Sequence, residues 1–278
     1  MQEGQEKTTV NVGWCDCHCH LDEYADPEAV IREAEAAGVT RICAVAQRHE
    51  ECWRSILSLT AKHPGLVVPG VGIHPCPDGD EMLFMRYGDD AKALGDLRAE
   101  LLGYAGRAAV VGEIGLDYKW ASDAEKRTTQ RHLFDAQLAV AAELKLPISV
   151  HSRRSARDAM EACVKWHRET GLGACLHWFT HSPKLMRQAA LGGVFVSVGP
   201  AGAITEEDER AFVRKVGKEC LGQMLLETDG PVRFQGEEAT PAWIPRIGEA
   251  VSQLIDVPVD EVRTATFNNF ERYLTMKN

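Results

Sequence analysis

The 278-residue sequence lacks the long apolar runs of a membrane protein and the apolar core of a secretory signal. A transmembrane helix needs roughly 18 or more apolar residues in succession, and no segment approaches that length. The first ten residues, MQEGQEKTTV, are polar. We therefore expect a soluble cytoplasmic protein with no membrane partner, whose residues 1–10 form a flexible lead-in.

The sequence also lacks CxxC pairs, although it contains nine cysteines. An odd number without a signal peptide indicates reduced thiols rather than a disulfide framework. Cys15, Cys17 and Cys19 alternate, so they would share one face of a strand. Packing of these three as small apolar residues is favoured over metal binding.

Excess positive charge is absent as well, since the formal net charge is −10. This charge argues against a protein whose main activity is non-specific binding to duplex DNA. It does not exclude a nucleic-acid substrate, because bound divalent ions and local arginines can reverse the field at one pocket.

Short apolar runs alternate with longer amphipathic segments along the whole chain. Eight runs rich in Val, Ile and Leu are typical of buried parallel strands. They are Val12–Cys17, Arg41–Ala46, Val67–Val71, Ala109–Val111, Pro147–Val150, Gly173–Leu176, Val194–Val198 and Gln223–Leu226. The segments between them carry helix-start signals, such as Asp26-Pro27, Ser182-Pro183 and a capping box of Ser122 with Glu125.

This alternation predicts a (β/α)8 TIM barrel, and the polar residues described next indicate the metal-dependent hydrolase type. An open doubly wound sheet is the alternative, but no GxGxxG motif follows the first strand. No linker or break in composition divides the chain, so we predict a single domain over residues 1–278.

Imidazoles and carboxylates follow six of the eight predicted strands. They are His18 and His20, His74, Glu113, His151, His177 and Asp229. The carboxyl ends of barrel strands converge on one face, where the active sites of this fold lie. Four other histidines, His49, His63, His132 and His167, fall inside or beside helices and have no predicted function, and His181 is expected to cap or line a loop.

Imidazole nitrogens and carboxylate oxygens are ligands for Zn²⁺, Mn²⁺ and similar ions. In an extended strand, His18 and His20 would point to the same side and reach one ion. Adding Glu113 and Asp229 at the same mouth brings negative charge that needs compensation. Two divalent ions would supply it and would form a hydrolytic centre, with Zn, Mn or Mg as candidates.

Several segments resemble the TatD family of metal-dependent deoxyribonucleases, within the amidohydrolase-like barrels. They are Asp16–Asp22 (DCHCHLD), Gly72–Pro75 (GIHP), Gly112–Tyr118 (GEIGLDY), Gln130–Leu146, Pro147–Arg153 (PISVHSR), Leu176–Ser182 and Leu226–Pro231 (LETDGP). They occur in family order over nearly the whole chain, and GEIGLDY followed by ETD is the most specific part.

The resemblance implies roles for the polar residues. His18, His20, Glu113 and Asp229 would hold one metal ion, and Glu113 would bridge to a second ion held by His151 and His177. Asp229 would also act as general base toward the attacking water.

The same resemblance places His74 against the scissile phosphate. Arg153, beside His151, either pairs with a phosphate oxygen or forms a salt bridge with a carboxylate of the barrel rim. Asp117 and Tyr118 are expected to order the loop or support the ligands.

Two loops differ from the common family pattern, namely residues 178–181 (WFTH) and 232–236 (VRFQG). Both loops would lie at the pocket mouth, so these differences bear on which substrate is bound rather than on the reaction type. Trp178 and Phe179 either stack an unpaired base or anchor the loop on the rim.

The main hypothesis is therefore a DNA phosphodiesterase, a 3′-to-5′ exonuclease acting on a single strand or strand end as a monomer. The alternatives are a hydrolase of a small amide, lactone or phosphoester, and a non-enzymatic metal-dependent component of an assembly.

Overall fold

The computed structural model describes residues 12–46, 50–78, 81–87, 90–179 and 182–276. The predicted lead-in at residues 1–10, and the predictions for His49 and His181, lie outside these described residues. No helix within the described ranges is both long enough and apolar enough to cross a membrane.

Eight parallel strands form one sheet whose order follows the chain. They are β1 Trp14–Cys19, β2 Val39–Val45, β3 Val67–Val71, β4 Val110–Asp117, β5 Ile148–Arg153, β6 Ala174–Leu176, β7 Phe195–Val198 and β8 Met224–Leu226. The chain leaving β8 returns to β1, because Asp229 N donates to His18 O at 3.0 Å and His20 N donates to Gly230 O at 2.8 Å. The sheet is thus a nearly closed barrel, and the predicted (β/α)8 fold is confirmed.

Helices occupy the connections between the strands. They are α1 Pro27–Ala36, α2 Glu50–Lys62, α3 Leu83–Tyr87, α4 Ala91–Leu102, α5 Ala124–Leu144, α6 Ala156–Thr170, α7 Pro183–Leu191, α8 Glu207–Cys220, α9 Ile244–Ile255 and α10 Val259–Thr275. Short 3₁₀ turns cover Leu21–Glu23, Leu221–Gln223 and Pro241–Trp243, and a π-helical turn covers Ala201–Thr205. Two-residue strands pair as Pro77–Asp78 with Glu81–Met82, and as Arg233–Phe234 with Glu237–Glu238.

Most helix-start signals act as predicted. Asp26 caps α1 by accepting from Ala29 N, and Ser182 caps α7 by accepting from Leu185 N. The predicted capping box of Ser122 with Glu125 is wrong. Asp123 directly precedes α5, and its carboxylate accepts from Lys126 N, so it satisfies the first turn instead.

An apolar cluster fills the barrel below the site and separates it from the opposite end. Seven of the eight strands contribute Cys15, Cys17, Cys43, Val45, Val68, Val110, Cys175, Phe195 and Leu225, and α10 adds Phe267, Phe270 and Tyr273. Cys15 and Cys17 therefore pack as small apolar residues. Cys19 does not share their face: it packs in the larger core between sheet and helices, with Sγ 3.7 Å from Gly230 O.

Strand β4 is longer than the predicted Ala109–Val111 and reaches Asp117. Gly115 permits this, because a Cβ there would lie 2.2 Å from His151 O of the neighbouring strand. Glu113 therefore lies inside a strand rather than after it. His18 and His151 likewise lie within β1 and β5, whereas His74 and Asp229 follow their strands as predicted.

Candidate metal centre

Strand β1 and the residue after it supply two buried imidazoles, His18 and His20, whose Nδ1 atoms form hydrogen bonds to other strands of the barrel. His20 Nδ1 lies 2.9 Å from Val45 O. A carbonyl only accepts, so Nδ1 carries a hydrogen, and once the ring is neutral the lone pair of Nε2 faces the site. His18 Nδ1 lies 2.9 Å from Ser149 Oγ, and its Nε2 faces the same space. Both rings thus present an Nε2 toward Glu113 and Asp229.

Register explains how β1 places two histidines in the site directly above two cysteines in the core. The pairing of β1 with β2 shifts between Asp16 and Cys19. Within this irregular stretch His18 N donates to the side chain of Asp16 at 3.2 Å. The strict alternation assumed for a regular strand is broken here, and His18 and His20 lie together at the barrel mouth.

Glu113 lies between two groups of imidazoles and is 1% exposed. Its Oε2 is 3.4 Å from His18 Nε2 and 3.4 Å from His20 Nε2. Its Oε1 is 2.9 Å from His151 Nδ1 and 2.8 Å from His177 Nε2. Each carboxylate oxygen therefore faces a different pair of histidines.

Asp229 follows β8 and closes the first group. Its Oδ1 lies 3.2 Å from His20 Nε2 and 3.6 Å from His18 Nε2. Its backbone has a φ of 49°, in the left-handed region, and its N–H donates to His18 O. Burial opposes ionisation, but the hydrogen bond from His20 and the nearby imidazoles hold the pKa of Asp229 below its usual value.

His74 approaches Glu113 through Nε2, and a backbone contact decides which nitrogen of its ring carries the hydrogen. Its Nδ1 accepts from Cys76 N at 3.3 Å, so the hydrogen of the neutral ring is on Nε2. That Nε2 lies 2.9 Å from Glu113 Oε1. His74 is therefore poised as a hydrogen-bond donor to an anion.

The rim of the site is held by Asp117 at the end of β4. Its Oδ2 accepts from His151 Nε2 at 3.1 Å and from Arg153, with Nε at 2.7 Å and Nη2 at 2.6 Å. Arg153 thus forms a salt bridge with a rim carboxylate, and 39% of its side chain stays exposed. Tyr118 donates to Asp158 Oδ2 at 2.6 Å and ties the loop after β4 to α6.

Two buried carboxylates behind the site were missed by sequence reasoning. Glu227 accepts from Trp178 N at 2.6 Å and from the hydroxyl of Ser197 at 2.7 Å. Asp16 accepts from Thr228 N at 3.1 Å and from His18 N. The available signal was a carboxylate two residues before a predicted ligand, within the apolar strand β1 for Asp16 and directly after the apolar strand β8 for Glu227.

Burial dominates the protonation of these groups. It raises the pKa of Asp16 to about 7 and that of Glu227 to about 8. Burial, together with the neighbouring charge of His177, lowers the pKa of His18 to about 3. For His20 and His177 burial is outweighed by Asp229 and Glu113, so their pKa values rise to about 9 and about 10.

The donor set fits divalent metal ions. His18, His20 and Asp229 form one group of mutually close ligand atoms, and Glu113, His151 and His177 form another. His18 Nε2 and Glu113 Oε2 are buried without a hydrogen-bond partner, although they lie only 3.4 Å apart. Unpaired polar atoms of this kind are costly unless a cation binds between them.

A cavity of about 490 Å³ opens over the centre. Its lining residues are His74, Cys76, Glu113, His151, Ser152, Arg153, His177, Trp178, Asp229 and Val232. Phe179 is 1% exposed and packs in the core, so of its two predicted roles it anchors the loop and does not stack a base. Trp178 does line the cavity and packs on Phe234, with ring centroids 5.4 Å apart.

A larger depression of about 640 Å³ lies at the opposite end of the barrel, among residues such as Val12, Thr40 and Leu66. It contains none of the metal-binding groups found in the described residues. The chemistry of the chain is therefore concentrated at the carboxyl ends of the strands.

Comparison with known proteins agrees with this geometry. The family model described as TatD related DNase matches residues 15–275. The human protein named deoxyribonuclease TATDN3 is 29% identical over 271 residues, covering 94% of each chain. YabD of Bacillus subtilis (strain 168), named an uncharacterized metal-dependent hydrolase, is 28% identical and covers 92% of this chain and 97% of its own.

Among solved structures, the TatD homologue YjjV of Escherichia coli K12 has a TM-score of 0.74 at 27% identity. It covers 95% of this chain and 97% of its own length. A family match over nearly the whole length and a shared barrel lead to one conclusion. The chain belongs to the TatD family of DNase-related proteins.

Proposed function

We propose that this chain is a metal-dependent phosphodiesterase that hydrolyses DNA from a strand end, with two divalent ions held on either side of Glu113. The observation that supports it best is the division of the Glu113 carboxylate between the His18–His20 pair and the His151–His177 pair. A carboxylate with one oxygen toward each group is the arrangement that a bridging ligand requires.

His18, His20, Glu113 and Asp229 would hold one ion, and Glu113, His151 and His177 the other. Bound there, divalent ions such as Zn²⁺, Mn²⁺ or Mg²⁺ supply Lewis-acid activation of water and of the phosphoryl group. The Nδ1–H of His20 donates to Val45 O, so the proton that an ion displaces from this ring is the one on Nε2.

Asp229 is the proposed general base. It is buried, it is held ionised by its neighbours, and it lies in the wall of the cavity. Its carboxylate therefore takes the proton of the attacking water as the new oxygen bond to phosphorus forms. The bond from phosphorus to the 3′ oxygen of the shortened strand breaks in the same step, and that oxygen takes a proton from solvent. Proton transfer from water and in-line attack on phosphorus then take place in the same cavity.

His74 and Arg153 are the proposed phosphate contacts. The Nε2–H of His74 points at the centre, and the exposed part of the Arg153 guanidinium borders the same cavity. Both are donors without acceptor capacity at those atoms, as an anionic phosphodiester requires. Substrate binding would draw Arg153 from Asp117 or share it between the two anions.

A strand end suits the cavity better than continuous duplex, because the site lies inside a barrel mouth of about 490 Å³. Single-stranded DNA and 3′-to-5′ polarity are accordingly the proposed substrate and direction. We also propose that the chain acts as a monomer in the cytoplasm. The relatives named as deoxyribonucleases support the choice of DNA.

The experiment is hydrolysis of end-labelled single-stranded oligonucleotides by chelator-stripped protein, with Mg²⁺, Mn²⁺ and Zn²⁺ restored separately. Asp229→Asn, purified in parallel, controls for contaminating nuclease. We expect a metal-dependent ladder that the variant does not produce, with the labelled end giving the polarity. Equal products from both proteins would overturn the DNA assignment, and small esters, lactones and amides would then be the substrates to test.

A further inference from the structure

A third group of metal-binding side chains lies on the cavity side of the two groups just described. His74, Cys76 and His151 each offer a ligand atom within 4.8 Å of the other two. Cys76 Sγ is 3.8 Å from His74 Nε2. Ligand atoms around one tetrahedral zinc ion lie about 3.3–3.6 Å apart, given the usual bond lengths. Small side-chain movements would therefore bring these atoms onto one ion.

Negative charge is already present beside this group. Asp117 Oδ2 lies 3.4 Å from Cys76 Sγ and 3.1 Å from His151 Nε2. A cation bound by the thiolate and the imidazoles would lie next to this carboxylate, and the thiol proton would leave to solvent on binding. The Nε2 hydrogen of His74 would shift to Nδ1, which would give up its contact with Cys76 N. All three proposed ligands border the open cavity, so an ion can enter from solvent.

The thiol distinguishes this group from the two inner ones, which contain only imidazoles and carboxylates. Sulfur ligands select soft ions such as Zn²⁺ and Cd²⁺ and discriminate against Mg²⁺. Two of the ligands are also residues that the proposed hydrolysis uses, since His74 is the phosphate donor and His151 holds the second ion.

We propose that His74, Cys76 and His151 form a binding site for a thiophilic divalent cation, and that an ion there inhibits hydrolysis by withdrawing His74 and His151 from the catalytic centre. The binding half stands on these side chains alone, whereas the inhibition half rests on the proposed function.

Arg153 competes with the ion for the same neighbours. Its Nη2 lies 3.7 Å from Cys76 Sγ and 2.6 Å from Asp117 Oδ2. Because its side chain is 39% exposed, the guanidinium can turn toward solvent when a cation arrives. Bound phosphate would hold Arg153 in the cavity, whereas a bound cation would turn it toward solvent. Substrate and cation would therefore oppose each other's binding.

The binding test uses full-length protein in excess Mg²⁺, titrated with Cd²⁺. Thiolate-to-cadmium charge transfer in the ultraviolet reports only ions bound through sulfur. Cys52→Ser is the matched control, since Cys52 is another part-buried thiol, on α2. We expect saturable absorption in wild type and in Cys52→Ser and none in Cys76→Ser.

His74→Asn separates a built site from a lone reactive thiol. Losing even an outer partner of a metal ligand weakens metal affinity by about 10–100-fold, so loss of a direct ligand should weaken Cd²⁺ binding at least tenfold. Unchanged affinity in His74→Asn, or undiminished absorption in Cys76→Ser, would overturn the site.

The inhibition test measures oligonucleotide hydrolysis in Mg²⁺ against rising Cd²⁺ or Zn²⁺. Cys76→Ser should need at least about tenfold more ion for half-inhibition than wild type or Cys52→Ser. Equal inhibition of all three proteins would overturn the inhibitory role. If the protein hydrolysed no phosphodiester, the proposed function would fail while the absorption titration still decided the site.

Discussion

The imidazole rings of His18 and His177 are stacked, with centroids 3.8 Å apart and planes 7° from parallel. They belong to the two different groups of proposed ligands and come from β1 and from the loop after β6. A charge on one ring disfavours a charge on the other, which contributes to the low pKa of His18. Protons and metal ions at this centre should therefore affect each other.

Glu113→Ala should release both metal ions, because its two oxygens face the two groups separately. Metal content of the dialysed protein, measured by atomic emission, checks this. Glu143→Ala on the surface of α5 is the control and should keep the wild-type content. A Glu113→Ala protein that retained two ions per chain, with an unchanged circular dichroism spectrum, would refute the bridging role.

Asp229→Asn should lower turnover far more than it changes KM, because the amide cannot accept a proton from water. General-base catalysis contributes about 10²–10⁴-fold, and kcat should fall by that order. Steady-state kinetics on a single-stranded oligonucleotide, with metal content measured alongside, separate this effect from loss of an ion. Unchanged kcat would remove Asp229 from the mechanism.

Metal binding should strengthen as pH rises. In the metal-free protein the pKa values of His20 and His177, about 9 and about 10, keep both rings protonated near neutral pH. An ion must displace those protons, so apparent affinity is weak at low pH and increases until pH passes these pKa values. Calorimetry in buffers of different ionisation enthalpy should detect proton release. A pH-independent affinity without proton release would contradict this assignment of charge.

The barrel and the position of the site were predictable from sequence because each depends on a strong local pattern. Short Val-, Ile- and Leu-rich runs gave the eight strands in order, and polar residues near their ends indicated one active face. The sequence predicted that His18 and His20 face the same site, but it did not predict how β1 places them there. Their placement depends on a register shift that the residue alternation does not encode.

Contacts between segments distant in sequence account for what was missed. For Phe179 the sequence left base stacking and loop anchoring open, and its contact with Phe212 of α8, with ring centroids 6.3 Å apart, decides for the anchor. In the sequence Glu227 is only one residue of the LETDGP motif. Its contacts come from Ser197 on β7 and the backbone N–H of Trp178, which both donate to its carboxylate. Pairings of this kind are set by how strands lie next to one another, and a single sequence shows no such neighbours.

Arg153→Ala should raise KM for a phosphodiester while leaving kcat nearly unchanged, since the guanidinium contacts phosphate rather than the reacting water. Charged hydrogen bonds are worth about 1.5–3 kcal/mol, which corresponds to about 10–150-fold in KM. Arg98→Ala, whose arginine pairs with Glu143 on the helical surface, is the control. An unaltered KM would mean that Arg153 serves only the salt bridge with Asp117.

Trp178→Ala should impair oligonucleotides more than small phosphodiesters. The indole borders the cavity, and its backbone is held at a φ of 42° by hydrogen bonds from its N–H to Glu227 and Ser197. Stacking of a base on an aromatic ring is worth about 1–3 kcal/mol, and kcat/KM for a single strand should fall accordingly. A nitrophenyl phosphodiester without a base reports the centre alone, and its hydrolysis should change much less.

Trp178→Phe should restore most of the loss, because a smaller ring still offers a stacking face. If both substrates lost activity equally and Phe gave no rescue, Trp178 would be an anchor that packs on Phe234 and positions the His177 loop, and strand recognition would have to come from elsewhere on the rim.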